Sequence, residues 1–327
     1  MTTPADFNAL TTRARRGDAA AQYALSIALK RAGYSDNADH WLRLSAQNGF
    51  ANATYTLATR EITTADSIKA AGAKLEQAAA RGSTAAIRLL AVLRALGLSQ
   101  EPPDYDGLGD VITVARGGDA PALAEVAGLL AQVEVESFAI APLLLLASNK
   151  DPVAAAVSLA RAAAGRHSGN LKFLEDCAVL LEKAHYPRAG ALRAGIDQSA
   201  RAPVSAPSID WDQLAEAVRR APPSISPAER LCDAPDIVIH RGVVAAEVCE
   251  YVIAHAASRL GPSLVYHPQS DRMIRDPLRT SATASLSPVN LDLAIIALNR
   301  TIARAASCDD ETGEFLSVLR YLPGQEY

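Results

Sequence analysis

The stretch Ala14-Arg-Arg-Gly17-Asp-Ala-Ala-Ala21-Gln-Tyr-Ala-Leu25 decides the fold, because it returns. It recurs as Ala46-Gln-Asn-Gly49-Phe-Ala-Asn-Ala53-Thr-Tyr-Thr-Leu57 and as Ala79-Ala-Arg-Gly82-Ser-Thr-Ala-Ala86-Ile-Arg-Leu-Leu90. A shorter copy is Ala115-Arg-Gly-Gly118-Asp-Ala-Pro-Ala122, and looser ones begin near Lys150 and Pro187. The intervals between the Gly positions are 32, 33 and 36 residues, a period typical of stacked repeats.

The pattern has a physical reading. Gly at the end of one helix supplies the left-handed conformation that closes it. The Ala and Leu that follow, four apart, share one face of the next helix. Small Ala at the crossing lets two helices approach closely. Between copies lies a second periodic segment, Ala38-Asp-His-Trp41-Leu42-Arg-Leu-Ser-Ala46. Each repeat is therefore expected to be a helix pair. One pair cannot bury its own apolar face, so the pairs must stack as an α-solenoid.

These features resemble the SEL-type repeats of the tetratricopeptide-like superfamily. The resemblance rests on Gly17, Gly49 and Gly82, on the Ala-x-x-Trp-Leu of residues 38–42, and on Ala79, Ala80 and Gly82. It is good over residues 10–135 and degrades over 136–200. It implies a scaffold over residues 1–200 that binds protein or peptide partners.

Composition agrees with a helical body. Of 327 residues 66 are Ala, whereas aromatics make up 5%, so the core is built from small and aliphatic side chains. Lys plus Arg number 32 against 36 Asp plus Glu, a net charge of −4. No cation excess is available to displace counterions from nucleic acid, which argues against that partner. The longest apolar stretch, Phe138 to Ala147, contains Pro142 and is too short to span a membrane. The first residues carry no basic-then-apolar leader, so a cytoplasmic protein is expected. Cys177, Cys232, Cys249 and Cys308 form no Cys-x-x-Cys pair and are expected to be buried free thiols.

Residues 201–235 change character, holding six of the 18 prolines. Proline stops the repeats and gives a stiff connection, with one short helix expected from Trp211 to Arg220 capped by Asp210. From Asp236 the periodicity changes again. Ile237–His240 reads as a short buried strand. Ala245–Leu260 reads as a helix with Val248, Tyr251, Val252 and His255 on one face. Ser263–Tyr266 and Arg279–Leu286 read as strands, Leu291–Ala306 as an apolar helix, and Phe315–Tyr321 as a strand before the turn Pro323-Gly324. The fold class expected is mostly α, with a partial α+β domain at residues 236–327.

Three stretches of that domain resemble the prolyl 4-hydroxylase catalytic domain of the Fe(II)- and 2-oxoglutarate-dependent dioxygenases. They are Val243-Val-Ala-Ala-Glu-Val-Cys-Glu-Tyr251-Val-Ile, then Asp276-Pro-Leu-Arg279-Thr280-Ser281, and then Leu319-Arg320-Tyr321-Leu-Pro-Gly324-Gln325-Glu-Tyr327. The last is similar to the family's Arg-Tyr-x-Pro-Gly-Gln-x-Tyr. The resemblance implies a double-stranded β-helix, incomplete here, with Fe(II) and 2-oxoglutarate as cofactors and ascorbate as a candidate reductant. The implied reaction oxidises 2-oxoglutarate to succinate and CO₂ while hydroxylating a C–H bond, on proline in the family's name. Tyr321 matches a tyrosine that hydrogen-bonds 2-oxoglutarate. Arg279 and Ser281 match a loop over the peptide site, and Tyr327 a tyrosine near the substrate peptide.

The family places its iron ligands, as His-x-Asp and a later His, beyond the Arg-Tyr motif. Here His40, His167, His185, His240, His255 and His267 are followed two residues later by Leu, Gly, Pro, Gly, Ala and Gln. No His-x-Asp or His-x-Glu exists, so a facial triad is not expected, no catalytic or metal-ligating residue is assigned, and no cofactor is expected to bind this chain tightly. Two functions follow: an oxygenase whose repeats deliver a protein substrate, inactive as this chain alone, or a non-catalytic interaction scaffold. A strand ending at Tyr321 without neighbours would leave an open edge, so residues 236–327 are expected to exchange amide hydrogens faster than 10–200.

Overall fold

The computed structural model describes residues 4–98, 105, 107–133, 139–166, 169–196, 208–220, 224–276, 278–309 and 313–325. Two compact units divide at residue 114/115. This is a division by packing. The limits expected from sequence character, 1–200, 201–235 and 236–327, stand beside it as a proposal.

The first unit holds α1 (Pro4–Arg15), α2 (Ala19–Arg31), α3 (Ser35–Gln47), α4 (Ala51–Glu61), α5 (Ala65–Ala80), α6 (Thr84–Ala95) and most of α7 (Leu108–Arg116). Successive helices from α1 to α6 pack as antiparallel neighbours. Gly17, Gly49 and Gly82 take φ of +90°, +86° and +88°, the left-handed closure expected of them. Asp18 and Ser83 then cap the next helices by accepting from the N–H of Ala21 and Ala86. Ala53, Ala58, Ala71, Ala78 and Ala86 are fully buried, with Leu25, Leu42 and Leu75 filling the gaps. Polar contacts also repeat with the period. Tyr23 Oη lies 3.3 Å from Thr56 Oγ1, and Ser83 Oγ donates to Asn52 Oδ1 at 2.8 Å.

The second unit continues with α8 (Ala120–Val133), α9 (Ile140–Ala147), α10 (Pro152–Ala163), α11 (Leu171–Lys183), α12 (Ala189–Ala194) and α13 (Trp211–Val218). There follow β1 (Glu229–Asp233), β2 (Asp236–Ile239), α14 (Ala246–Ala257), β3 (Gly261–Pro262), β4 (Leu264–His267), β5 (Arg272–Arg275), β6 (Ala282–Ser285), α15 (Leu293–Ala305) and β7 (Ser317–Arg320). The sheets are small and antiparallel: β1-β2, β4-β5, and β3-β6-β7. Among the described residues they do not close into a barrel. No helix there is long and apolar enough to cross a membrane.

Helix α8 is the centre of this unit. It packs against α9, α10, α13, α14 and α15, and it is apolar on every side. Its one carboxylate, Glu125, is fully buried and accepts the N–H of Leu293 at 2.8 Å. Asp292 completes the cap of α15 by accepting from Ile295 N–H. At Gly128 the α8 backbone comes so close to Tyr251 and Ala294 that a Cβ would lie 3.0 and 3.2 Å from them. Helix α14 is the second partner. Its Glu247 is 1% exposed and pairs with Arg166 (Nε at 2.7 Å) and Arg161 (3.8 Å). Its Glu250, 3% exposed, accepts from Tyr186 Oη and pairs with Arg188.

Several expectations are corrected here. Only Cys177 is a buried thiol; Cys249 and Cys308 are exposed and Cys232 lies between. Burial pushes the Cys177 thiol up to about 12, so it is unreactive at neutral pH. The Ile237–His240 strand forms, as β2, but is not buried: Ile237 and Val238 are 44% and 43% exposed. Its only strand partner is β1, which falls inside the expected linker, and nothing described covers this hairpin's face. On α14, Val252 and His255 are only partly buried, and Glu247 and Glu250 take the inner positions instead.

The Tyr186 hydroxyl gives a pH prediction. Burial first, and then its bond to Glu250, raise its pKa above the ordinary 10. The neutral phenol is thus favoured by folding. Its contribution is fully present below pH 10 and is lost as pH rises further. Denaturant midpoints of the native chain should fall more steeply above pH 10 than those of Tyr186→Phe. Parallel pH profiles would contradict this.

Candidate functional site

The candidate residues meet at the three-stranded sheet. Strands β6 and β7 pair antiparallel, with Ala282 opposite Arg320, Thr283 opposite Leu319, and Ala284 opposite Val318. Ala284 on β6 and Leu286 just after it are buried. This pairing sets Ser281, just before β6, near Tyr321, just after β7. The turn after β7 adds a second tie. Gly324 takes φ +82°, which lets the chain reverse. Gln325 then accepts the N–H of Leu322 at 2.7 Å and donates through Nε2 to the carbonyl of Thr280, also at 2.7 Å. The Arg-Thr-Ser and Arg-Tyr-x-Pro-Gly-Gln stretches, about 40 residues apart in sequence, are thus adjacent in space.

Ser281 is buried. Its Oγ lies 2.9 Å from Ser263 Oγ, and its carbonyl accepts from Ser263 N–H, so it positions backbone rather than offering a free hydroxyl. Arg279 is half-buried at the end of the same loop, its N–H bonded to the Asp276 carbonyl. Tyr321 is 43% exposed at the sheet edge. Tyr327 lies outside the described residues, as does His167.

Arg320 was not singled out from sequence, although it lies within the quoted motif. Its Nε is buried and has no hydrogen-bond partner. A buried guanidinium N–H without an acceptor is costly, and a carboxylate is the acceptor its fork fits best. Gln325 likewise carried no assignment, and Ser263 no sequence mark at all. Around the site, the β4-β5 hairpin presents Tyr266 and Met273 to solvent, with Arg272 and Arg275 beside them. Among the described residues β7 has β6 as its only strand partner, so its outer edge is open.

Tyr321 Oη is an exposed donor to which a carboxylate has access, whereas Arg320 Nε, on the preceding residue and therefore on the opposite face of the strand, is buried. The site does not accommodate iron. Among the described residues no three His, Cys, Asp or Glu side chains are grouped so as to hold a metal ion.

No protein-family profile matches the chain. Among solved structures, a Sel1 repeat protein from Oxalobacter formigenes aligns with 55% of this chain and 78% of its own, at 18% identity and a TM-score of 0.39. Among curated proteins, Prolyl 4-hydroxylase 1 of Arabidopsis thaliana is 34% identical over 94 residues, 28% of this chain. The chain spans about one third (33%) of that relative's length. Over that part of its length, the chain is similar to a prolyl 4-hydroxylase.

Proposed function

We propose that this chain serves a prolyl 4-hydroxylase-like oxygenation, with the helical repeats holding a protein or peptide and residues 236–327 supplying part of the peptide and 2-oxoglutarate recognition. The observation that carries this reading is the junction of the two motif stretches through the Gln325–Thr280 bond and the β6–β7 pairing. Tyr321 would donate its phenol hydrogen to a carboxylate oxygen of 2-oxoglutarate. Arg279 would face an extended peptide. When bound, 2-oxoglutarate supplies the two electrons that the oxygenation of a C–H bond requires. Iron has no ligand set among these residues, so no step is assigned to it.

The test has two readouts on the 327-residue chain. Millimolar 2-oxoglutarate should shift the Tyr321 ring and backbone amide resonances, and Tyr321→Phe should weaken that binding by about tenfold, the loss of one hydrogen bond to a charged group. With Fe(II) and ascorbate added, succinate should not exceed a no-protein control. Unmoved Tyr321 resonances, or succinate above the control, would contradict the reading.

A second reading is a non-catalytic scaffold in which the C-terminal segment closes the repeat stack. The burial of α14 and α15 against α8 and α10 supports it. Under this reading a repeat partner binds equally well when Tyr321 is replaced, and 2-oxoglutarate has no effect.

A further inference from the structure

A cavity of about 180 Å³ lies where the end of α8, the start of α14 and the end of α15 meet. It shares no residue with the Arg279–Ser281–Tyr321 site. Its walls are partly apolar, with Val248 and Leu298 among them, and no carboxylate lines it among the described residues. One buried polar atom of the wall lacks a partner, and one exposed cation stands beside it. Gln132 is held in one orientation, because its Nε2 donates to the carbonyls of Gly128 (3.2 Å) and Ala294 (2.9 Å). Its Oε1 is therefore the acceptor, and that atom is buried without a hydrogen bond. Arg304, the charged residue among the described residues of the wall, is exposed and has no ion-pair or side-chain hydrogen-bond partner among the described residues. The start of α14 adds to its field. Ala245 stands at the N-cap and offers no side-chain acceptor to the first-turn N–H groups.

Together these ask for a ligand with an anionic end and a hydrogen-bond donor close to it. The space is of a size that takes a small organic acid. We propose that the cavity binds a small 2-hydroxy carboxylate. Its carboxylate sits between Arg304 and the α14 N-terminus, and its hydroxyl donates to Gln132 Oε1. Ser226, also in the wall, is a further hydroxyl within the cavity.

The test uses lactate, propionate and 1,2-propanediol on the full chain, read by the side-chain amide of Gln132 and the backbone amides of Ala246 and Glu247 in nitrogen–proton spectra. Lactate should shift these signals in the millimolar range. Propionate, which lacks the donor, should bind about tenfold more weakly, and the diol, which lacks the charge, should not bind. Arg304→Gln should weaken lactate by about tenfold. Its side chain is exposed, so the fold should survive, as unchanged signals elsewhere would show. Gln132→Met should weaken lactate but not propionate; if that variant does not fold, Arg304→Gln decides. Tyr321→Phe should leave lactate binding unchanged, which separates this site from the 2-oxoglutarate reading. Absence of any shift with lactate, equal binding of lactate and propionate, or full retention of binding in Arg304→Gln would overturn the proposal.

Discussion

Glu247→Ala is expected to lower the stability of the unit containing residues 115–327 by about 3–5 kcal/mol, the usual effect of removing one partner from a buried ion pair. Glu247 is almost wholly inaccessible, and Arg161, on α10, is 6% exposed in its side chain. With the carboxylate gone, the buried Arg161 charge loses the Glu247 counter-charge, and Arg166 loses its contact with Glu247 as well. The stability lost is thus mainly desolvation left uncompensated, not the attraction itself. A companion variant separates the two. Replacing Glu247 and Arg161 together by Leu and Met removes both charges and should recover most of the loss. Denaturant unfolding measures both. A loss below 1 kcal/mol for Glu247→Ala would mean that α14 is not seated against α10.

Gly128→Leu is expected to be comparably damaging, by about 3 kcal/mol or more. Helix propensity alone favours Leu over Gly by nearly 1 kcal/mol, so the substitution would stabilise an open helix. Here the added side chain would meet the Tyr251 ring and Ala294, with the first carbon already at 3.0 and 3.2 Å. Tyr251 cannot turn aside cheaply, since its hydroxyl donates to Asp292 at 2.5 Å and Asp292 caps α15. The strain therefore falls on the α8–α14 and α8–α15 contacts together. Thermal unfolding followed by circular dichroism should show a lower midpoint. An unchanged or raised midpoint would show that the propensity term dominates and the close crossing is absent.

Much of this architecture was legible in the residues. The Gly positions at 17, 49 and 82 are local instructions, since each closes its own helix whatever surrounds it. The motif stretches were legible too, and Tyr321 and Ser281 do lie close together across β6 and β7. The glutamates that join the second unit were not legible. Glu247 bonds to a residue 81 positions away, Tyr186 and Glu250 are 64 apart, and Glu125 and Leu293 are 168 apart. An acidic residue in a helix reads as solvated unless its partner is known, and these partners have no fixed spacing. The same holds for Arg320, whose unsatisfied Nε is a consequence of packing. The β4-β5 hairpin was half seen: β4 was read from Leu264-Val-Tyr, but Arg272-Met-Ile-Arg275 has too many charges to read as a strand and forms one only through pairing with β4.

The packing also refines the expectation of a uniformly labile C-terminal segment. Strands β4, β5 and β7 are exposed and open-edged, and fast exchange remains the expectation there. Helices α14 and α15 share their core with α8. Native-state hydrogen exchange across residues 115–327 tests that most directly. The account predicts that the core amides of α8, α14 and α15 open with one common free energy, with β4, β5 and β7 opening at lower values. Exchange of α14 and α15 at a markedly lower free energy than α8 would contradict it, and would mean that the motif-bearing segment is a separate body from the helices that precede it.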